Sequence, residues 1–171
     1  MPPLRGTQVA LRPWASDFGD ALTLARAWND PDVVRWTTVP EDRSVEAARR
    51  WISTEDQRRA RGLAVDLAVT APSEPDRIYG EVGFVVAEAD RGWAEVGYWM
   101  FPEARREGHA SEAVALITDW ALRELSLTCL FARTNSANPA SGGVARNAGY
   151  DLVGELEGGV EVWARNAADQ S

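Results

Sequence analysis

The segment Trp93-Ala94-Glu95-Val96-Gly97-Tyr98-Trp99-Met100 holds the residue best suited to acid–base work. In an extended backbone Trp93, Glu95, Gly97 and Trp99 share one face, and Val96, Tyr98 and Met100 the other. A carboxylate between two indoles, with Gly97 leaving space beside it, can hold its proton more tightly than usual and act as a base through a water. The competing reading is a solvated or ion-paired glutamate on a half-exposed strand. The chain then runs through Phe101-Pro102 into Arg105-Arg106-Glu107-Gly108-His109-Ala110-Ser111, a polar turn that opens a long apolar-striped segment. Free backbone N–H groups at a helix start attract anions, and Gly108 and Ala110 let a phosphate approach closely. Arg105 and Arg106 add positive charge, although a plain strand-to-helix connection has the same appearance. Ser141, near the start of a short helix after Pro139, reads as a cap of that helix.

The remaining reactive side chains are few. His109 is the one histidine and Cys129 the one cysteine. That excludes an internal disulfide, a cysteine metal cluster and zinc sites built on two or three imidazoles, so no metal is expected. Between Gly108 and Ala110, His109 reads as a packing or amide-supplying residue rather than a general base. Cys129, with Leu127, Leu130 and Phe131, reads as a small buried hydrophobe. All 18 basic residues are arginine, which excludes a lysine Schiff base and a P-loop lysine. Against 26 acidic residues they leave a net charge of −8, which argues against nucleic acid and leans towards cationic partners such as amines.

These residues must be positioned by the surrounding elements. A length of 171 residues, 45% hydrophobic and 26% charged, suits one globular domain over residues 1–171. The start lacks an apolar signal core and no apolar run could span a bilayer, so a cytoplasmic, membrane-free protein is expected. Periodicity predicts a strand over 8–12, helices over 17–29 (N-cap Ser16 or Asp17) and 44–61, and a loop at Asn29-Asp30-Pro31-Asp32. Strands follow over 63–70, 77–86 and 93–100, with a turn over 72–76. A helix over 110–125, a strand over 127–134, a helix over 139–148 and strands over 150–156 and 160–164 complete the order, with 166–171 a frayed tail. This is a mixed α/β arrangement of about seven strands and about four helices with an antiparallel middle, unlike a doubly wound dinucleotide fold.

Arg105-x-x-Gly108-x-Ala110 resembles the coenzyme A pyrophosphate loop of the GNAT superfamily of N-acetyltransferases. Ala94-Glu95-Val96-Gly97-Tyr98-Trp99 before it, and Asn138-Pro139-Ala140-Ser141 with Ala148-Gly149-Tyr150 after it, match in order. Together with Leu11-Arg12-Pro13-Trp14 they are most similar to the ribosomal-protein-alanine (RimJ/RimL-like) subgroup. The resemblance implies a central, mostly antiparallel sheet in which the strand before the loop splays from the next parallel strand, and acetyl-CoA lies in the gap. It implies that the backbone of Trp99 and Met100 pairs with pantetheine, that amides from Arg106 to Ser111 grip the pyrophosphate, and that Asn138 and Ser141 sit near the sulfur. It also implies a catalytic glutamate at Glu95. Many relatives carry a tyrosine acid where this chain has Ala145, so Ser141 is the substitute the subgroup suggests.

Acyl transfer then needs a neutral amine, a donor to the carbonyl oxygen and a proton for the thiolate. The expected acceptor is a protein or peptide N-terminal α-amine. A small-molecule amine, a succinyl-type donor and a non-catalytic acyl-CoA-binding sensor are the alternatives. Trp28 and Trp36 bracket the loop that forms one wall of the acceptor pocket in the family, with core packing as the competing reading. Dimers are common among relatives, and the final strand is expected to serve as an edge for a homodimer.

Overall fold

The computed structural model describes residues 3–167. Most of its helices open on a side chain suited to the task. Helix α1 (Phe18–Trp28) is capped by Asp17, which accepts from the Asp20 N–H. Helix α3 (Val45–Ala60) is capped by Ser44, which accepts from the Ala47 N–H. Between them lies α2 (Pro31–Trp36), where sequence signals predict a loop; Asp30 accepts from the Asp32 and Val33 N–H groups, and Pro31 takes the first turn. Asn-Asp-Pro-Asp is turn chemistry, and the same chemistry starts a helix when proline falls at its first position. Helices α4 (His109–Glu124) and α5 (Pro139–Asn147) complete the helical set.

The strands are β1 (Leu4–Arg5), β2 (Ala10–Pro13), β3 (Ala64–Ala71), β4 (Glu74–Glu88), β5 (Trp93–Met100), β6 (Cys129–Asn135), β7 (Asp151–Leu156) and β8 (Val160–Asn166). They form one open sheet ordered β1-β2-β3-β4-β5-β6-β8-β7, in which only the β5–β6 pair is parallel. Eight strands and five helices thus stand where about seven and four are expected; β1 and α2 are the additions. β4 also begins three residues earlier than predicted, within the polar Glu74-Pro75-Asp76 run. The final strand is no edge: β8 lies between β6 and β7, and β7 is the outer strand. Asn166 is likewise not frayed but pairs with Cys129, and the Ala167 N–H bonds Thr128 O at 3.0 Å. Residues 168–171 lie outside the described residues.

Two apolar cores sit on opposite faces of this sheet. One packs α4 and α5 through Val114, Ile117, Ala121, Ala145 and Tyr150. The other packs α1 and α3 through Leu24, Trp28, Ala48 and Ile52, with Trp14, Trp99 and Phe101. Glu112 of α4 ties down the N-terminal segment by accepting from the Thr7, Gln8 and Val9 N–H groups at 2.7, 2.8 and 3.0 Å. No helix among the described residues is long and apolar enough to cross a membrane.

Candidate active site

β5 and β6 pair in register only at Trp93↔Cys129, Ala94↔Leu130 and Glu95↔Phe131. Beyond Glu95 the two strands part, while β4 follows β5 to the Gly80↔Met100 pair and β8 follows β6 to the Val160↔Asn135 pair. The gap they leave is a cleft of about 980 Å³, bordered by the start of α4 on one side and α5 on the other. Backbone polar groups along an unpaired strand edge accept an extended ligand as an added strand.

The N-cap of α4 is Gly108, with φ of +85° and no side chain to satisfy the first turn. The first following N–H bonded within the loop and helix is that of Glu112, to Gly108 O at 3.1 Å. His109, Ala110 and Ser111 therefore open the helix with free amides at the cleft wall, a ready anion site. Arg106 holds a positive φ of 65°, which turns the chain into this cap, and its side chain also lines the cleft. These features fit a pyrophosphate group at the α4 start.

The other predicted loop residues divide. Arg105 lines the cleft, but its guanidinium is committed to Asp32 at 2.6 Å and Asp30 at 3.8 Å, and its Nε donates to Met100 O at 2.9 Å. Its charge is compensated, so it braces α2 against the loop. Glu107 is exposed and does not line the cleft. His109 stacks on Tyr79 with ring centroids 4.3 Å apart, and its Nδ1 lies 3.1 Å from Ala104 O, a packing position.

Asn138 is the N-cap of α5 without a side-chain capping bond, and it lines the cleft. Ser141 does not cap the helix either. Its hydroxyl lies 3.0 Å from the Tyr98 hydroxyl, which also bonds the Ser141 carbonyl at 2.8 Å. A carbonyl can only accept, so Tyr98 donates to Ser141 O and the serine hydroxyl donates to the phenolic oxygen. Burial pushes the Tyr98 phenol up from its usual range. The sequence reading missed Tyr98 because its partner lies 43 residues away.

A second cleft of about 400 Å³ opens on the α1–α3 face. Trp28 and Trp51 line it, packed edge to face at 6.2 Å, while Trp36 lines the first cleft instead. Trp28 is therefore both core and cleft wall. The two clefts share Val33, Thr37, Glu95, Tyr98, Trp99 and Arg133. Glu95 stands at that junction, and Arg133 grips both its oxygens at 2.8 Å. The partner of Glu95 is a guanidinium rather than a pair of indoles.

The floor of the second cleft carries a carboxylate that the sequence reading passed over. Glu81 of β4 accepts from Trp14 Nε1 at 2.8 Å and Trp99 Nε1 at 3.1 Å. Burial pushes its carboxyl up to about 8, reinforced by the charge of Asp66, whose own carboxyl burial raises to about 6. A charged residue in the apolar run Ile78–Val86 was the available signal. Among the described residues, no group of three or more His, Cys, Asp or Glu is placed to hold a metal ion.

Comparison with known proteins agrees with this architecture. Residues 8–151 match the family model described as "Acetyltransferase (GNAT) domain". An uncharacterized N-acetyltransferase, p20, of Bacillus licheniformis is 29% identical over 125 residues, 73% of this chain and 70% of its own. The ribosomal-protein-S5-alanine acetyltransferase of Vibrio fischeri superposes with a TM-score of 0.84 at 19% identity, covering 100% of both chains. RimJ of Mycobacterium smegmatis, solved in complex with CoA-disulfide, gives 0.79 at 20% identity, covering 98% of this chain and 87% of that one.

Proposed function

Because this chain belongs to the GNAT acetyltransferase family and is an acyl-CoA-dependent N-acyltransferase, we propose that it transfers an acetyl group from acetyl-CoA to the N-terminal α-amine of a protein or peptide. The observation that carries the reading is the meeting of two clefts at Glu95, Tyr98, Trp99 and Arg133. One cleft has an anion-binding helix start and an open strand edge; the other has aromatic walls and a carboxylate floor.

When bound, the cofactor supplies an activated acetyl carbonyl. This chain's residues do the rest. The α4 amides from His109 to Ser111, with Arg106, bind the pyrophosphate. The backbone of Trp99 and Met100, on the edge where β6 has parted from β5, holds the pantetheine arm, with Asn138 on the opposite wall at the start of α5. Ser141, hydrogen-bonded to Tyr98, stands ready to pass a proton to the leaving sulfur. Glu95, held by Arg133, fixes charge and shape where the clefts join and is in place to order a water beside the incoming amine. Freeing an α-amine of its proton at pH 7 costs about 1 kcal/mol, against about 4.6 kcal/mol for a lysine side chain, from their ordinary pKa values. Such a site therefore favours an N-terminal amine.

The test is acetyl transfer to peptides beginning with Ala or Ser, followed by mass of the product, beside the same peptides blocked at the N-terminus and a panel of small amines. Modification confined to free N-termini is the expected result. Acetylation of small amines alone would move the acceptor to that class.

A further inference from the structure

We propose that Glu81 is the carboxylate that receives the acceptor's ammonium group in the second cleft and takes the first proton it sheds. This rests on the acyltransferase reading above and extends it to a residue outside the motifs.

Register places the group. Glu81 is the cross-strand partner of Trp99, a residue that lines both clefts where they meet. One step along, Gly83 pairs with Gly97, so the sheet floor beside Glu81 carries no side chains. A Cβ built at Gly97 would meet nothing within 4 Å, so the notch is open on the β5 side, while the Asp66 carboxylate covers Gly83 on the other. Trp28 and Trp99 wall it beside Trp51, whose ring the Arg58 guanidinium already covers at 4.6 Å from the centroid, and aromatic faces of this kind favour a cation.

Charge singles out Glu81 among the acidic groups of this cleft. On β3, Asp66 is paired with Arg58 of α3 at 3.1 Å, and Arg58 also pairs with Glu55. On β5, Glu95 is paired with Arg133 of β6. Glu81 has no arginine within ion-pair distance among the described residues. Two indole N–H groups fix its oxygens, and each oxygen keeps capacity for a second donor. Buried without a counter-charge, the carboxyl keeps its proton up to about 8, and an entering ammonium supplies the charge that favours its ionised form, the form that can take a proton. The carboxyl, held up to about 8, also lies close to a free α-amine at about 8, so the proton passes between them with little change in free energy.

The transfer balances. One N–H bond of the ammonium breaks and its proton goes to a Glu81 oxygen, leaving the electron pair on nitrogen. That pair forms the C–N bond to the acetyl carbon; the C–S bond breaks with its electrons on sulfur. A second proton leaves nitrogen and reaches sulfur directly or by way of the Ser141 hydroxyl, and Glu81 returns its own proton to solvent.

The experiment titrates L-alaninamide into the CoA-loaded protein, following tryptophan fluorescence at pH 8, with uncharged propionamide as control. CoA binding is recorded on each preparation. The proposal expects saturable alaninamide binding, none by propionamide, and roughly ten- to hundredfold weaker binding in Glu81→Gln. Gly97→Val provides the second variant: it fills the notch without touching the indole bonds, and it too should lose alaninamide while keeping CoA. Equal affinity in Glu81→Gln and wild type, equal binding of propionamide, or no saturable alaninamide binding overturns the proposal while leaving the acyltransferase reading intact. Failure of wild type to bind CoA overturns both.

Discussion

The buried carboxyl of Glu81 makes stability depend on pH with a definite sign. In the unfolded chain it ionises near 4.5; in the folded protein burial and Asp66 hold its proton until about 8. The folded state therefore binds more protons between those values. The stability this confers is complete below about 4.5 and is lost as pH rises through about 8. Each unit of separation corresponds to about 1.4 kcal/mol. The full interval is an upper bound, because Asp66 shares the same proton field and the cleft admits water. A loss on the order of 2–3 kcal/mol between pH 5 and 9 follows, or roughly 5–10 °C in Tm for a domain of this size. The assay is urea unfolding at pH 5, 7 and 9 for wild type and Glu81→Gln. The amide of glutamine places a second donor against one indole N–H, which costs about 1–3 kcal/mol at every pH. That offset leaves the slope as the readout: wild type should lose stability with rising pH more steeply than the variant. Parallel curves for the two proteins would refute the reasoning.

Three further outcomes follow from the geometry. Ser141→Ala and Tyr98→Phe should each lower kcat by about tenfold or more and leave acetyl-CoA affinity unchanged, as expected for groups that act on the leaving proton; a change confined to KM would argue against that role. Gly83→Ala should destabilise the fold by about 2–3 kcal/mol in denaturant melts, since its Cβ would fall 2.2 Å from Asp66 Oδ1 and 2.7 Å from Val65 O. Glu112→Ala should cost about 1–3 kcal/mol and loosen the N-terminal segment, read as faster amide exchange at Thr7, Gln8 and Val9, the three N–H groups it now accepts.

Local chemistry explains what could be read from the chain alone. β5 has the bounds its alternation predicts, and α4 and α5 begin within one residue of their small-residue and proline signals. The start of α4 and the turn into α5 that carries Asn138 and Ser141 were legible for the same reason: each is continuous in sequence. What escaped is set by long-range pairing. Ser141 looks like a cap until Tyr98 arrives from another strand. Glu95 sits between indoles in sequence, yet Arg133 from the neighbouring strand takes both its oxygens. Arg105 looks like a phosphate ligand, but the unforeseen α2 brings Asp30 and Asp32 against it. The indoles that hold Glu81 come from positions 67 and 18 residues away, a distance at which periodicity carries no information. Likewise, two adjacent final strands do not reveal which of them inserts beside β6 and which remains the edge.

The most direct test of the account is a titration of acetyl-CoA into the purified protein, followed by tryptophan fluorescence, beside Gly108→Trp. The substitution places a bulky side chain at the α4 cap, where φ is +85° and the free amides of the first turn converge. Saturable micromolar binding by wild type, lost in a variant that still melts cooperatively, is the predicted result. Absence of binding by wild type, or undiminished binding by the folded variant, would contradict the cofactor site on which the proposed function stands.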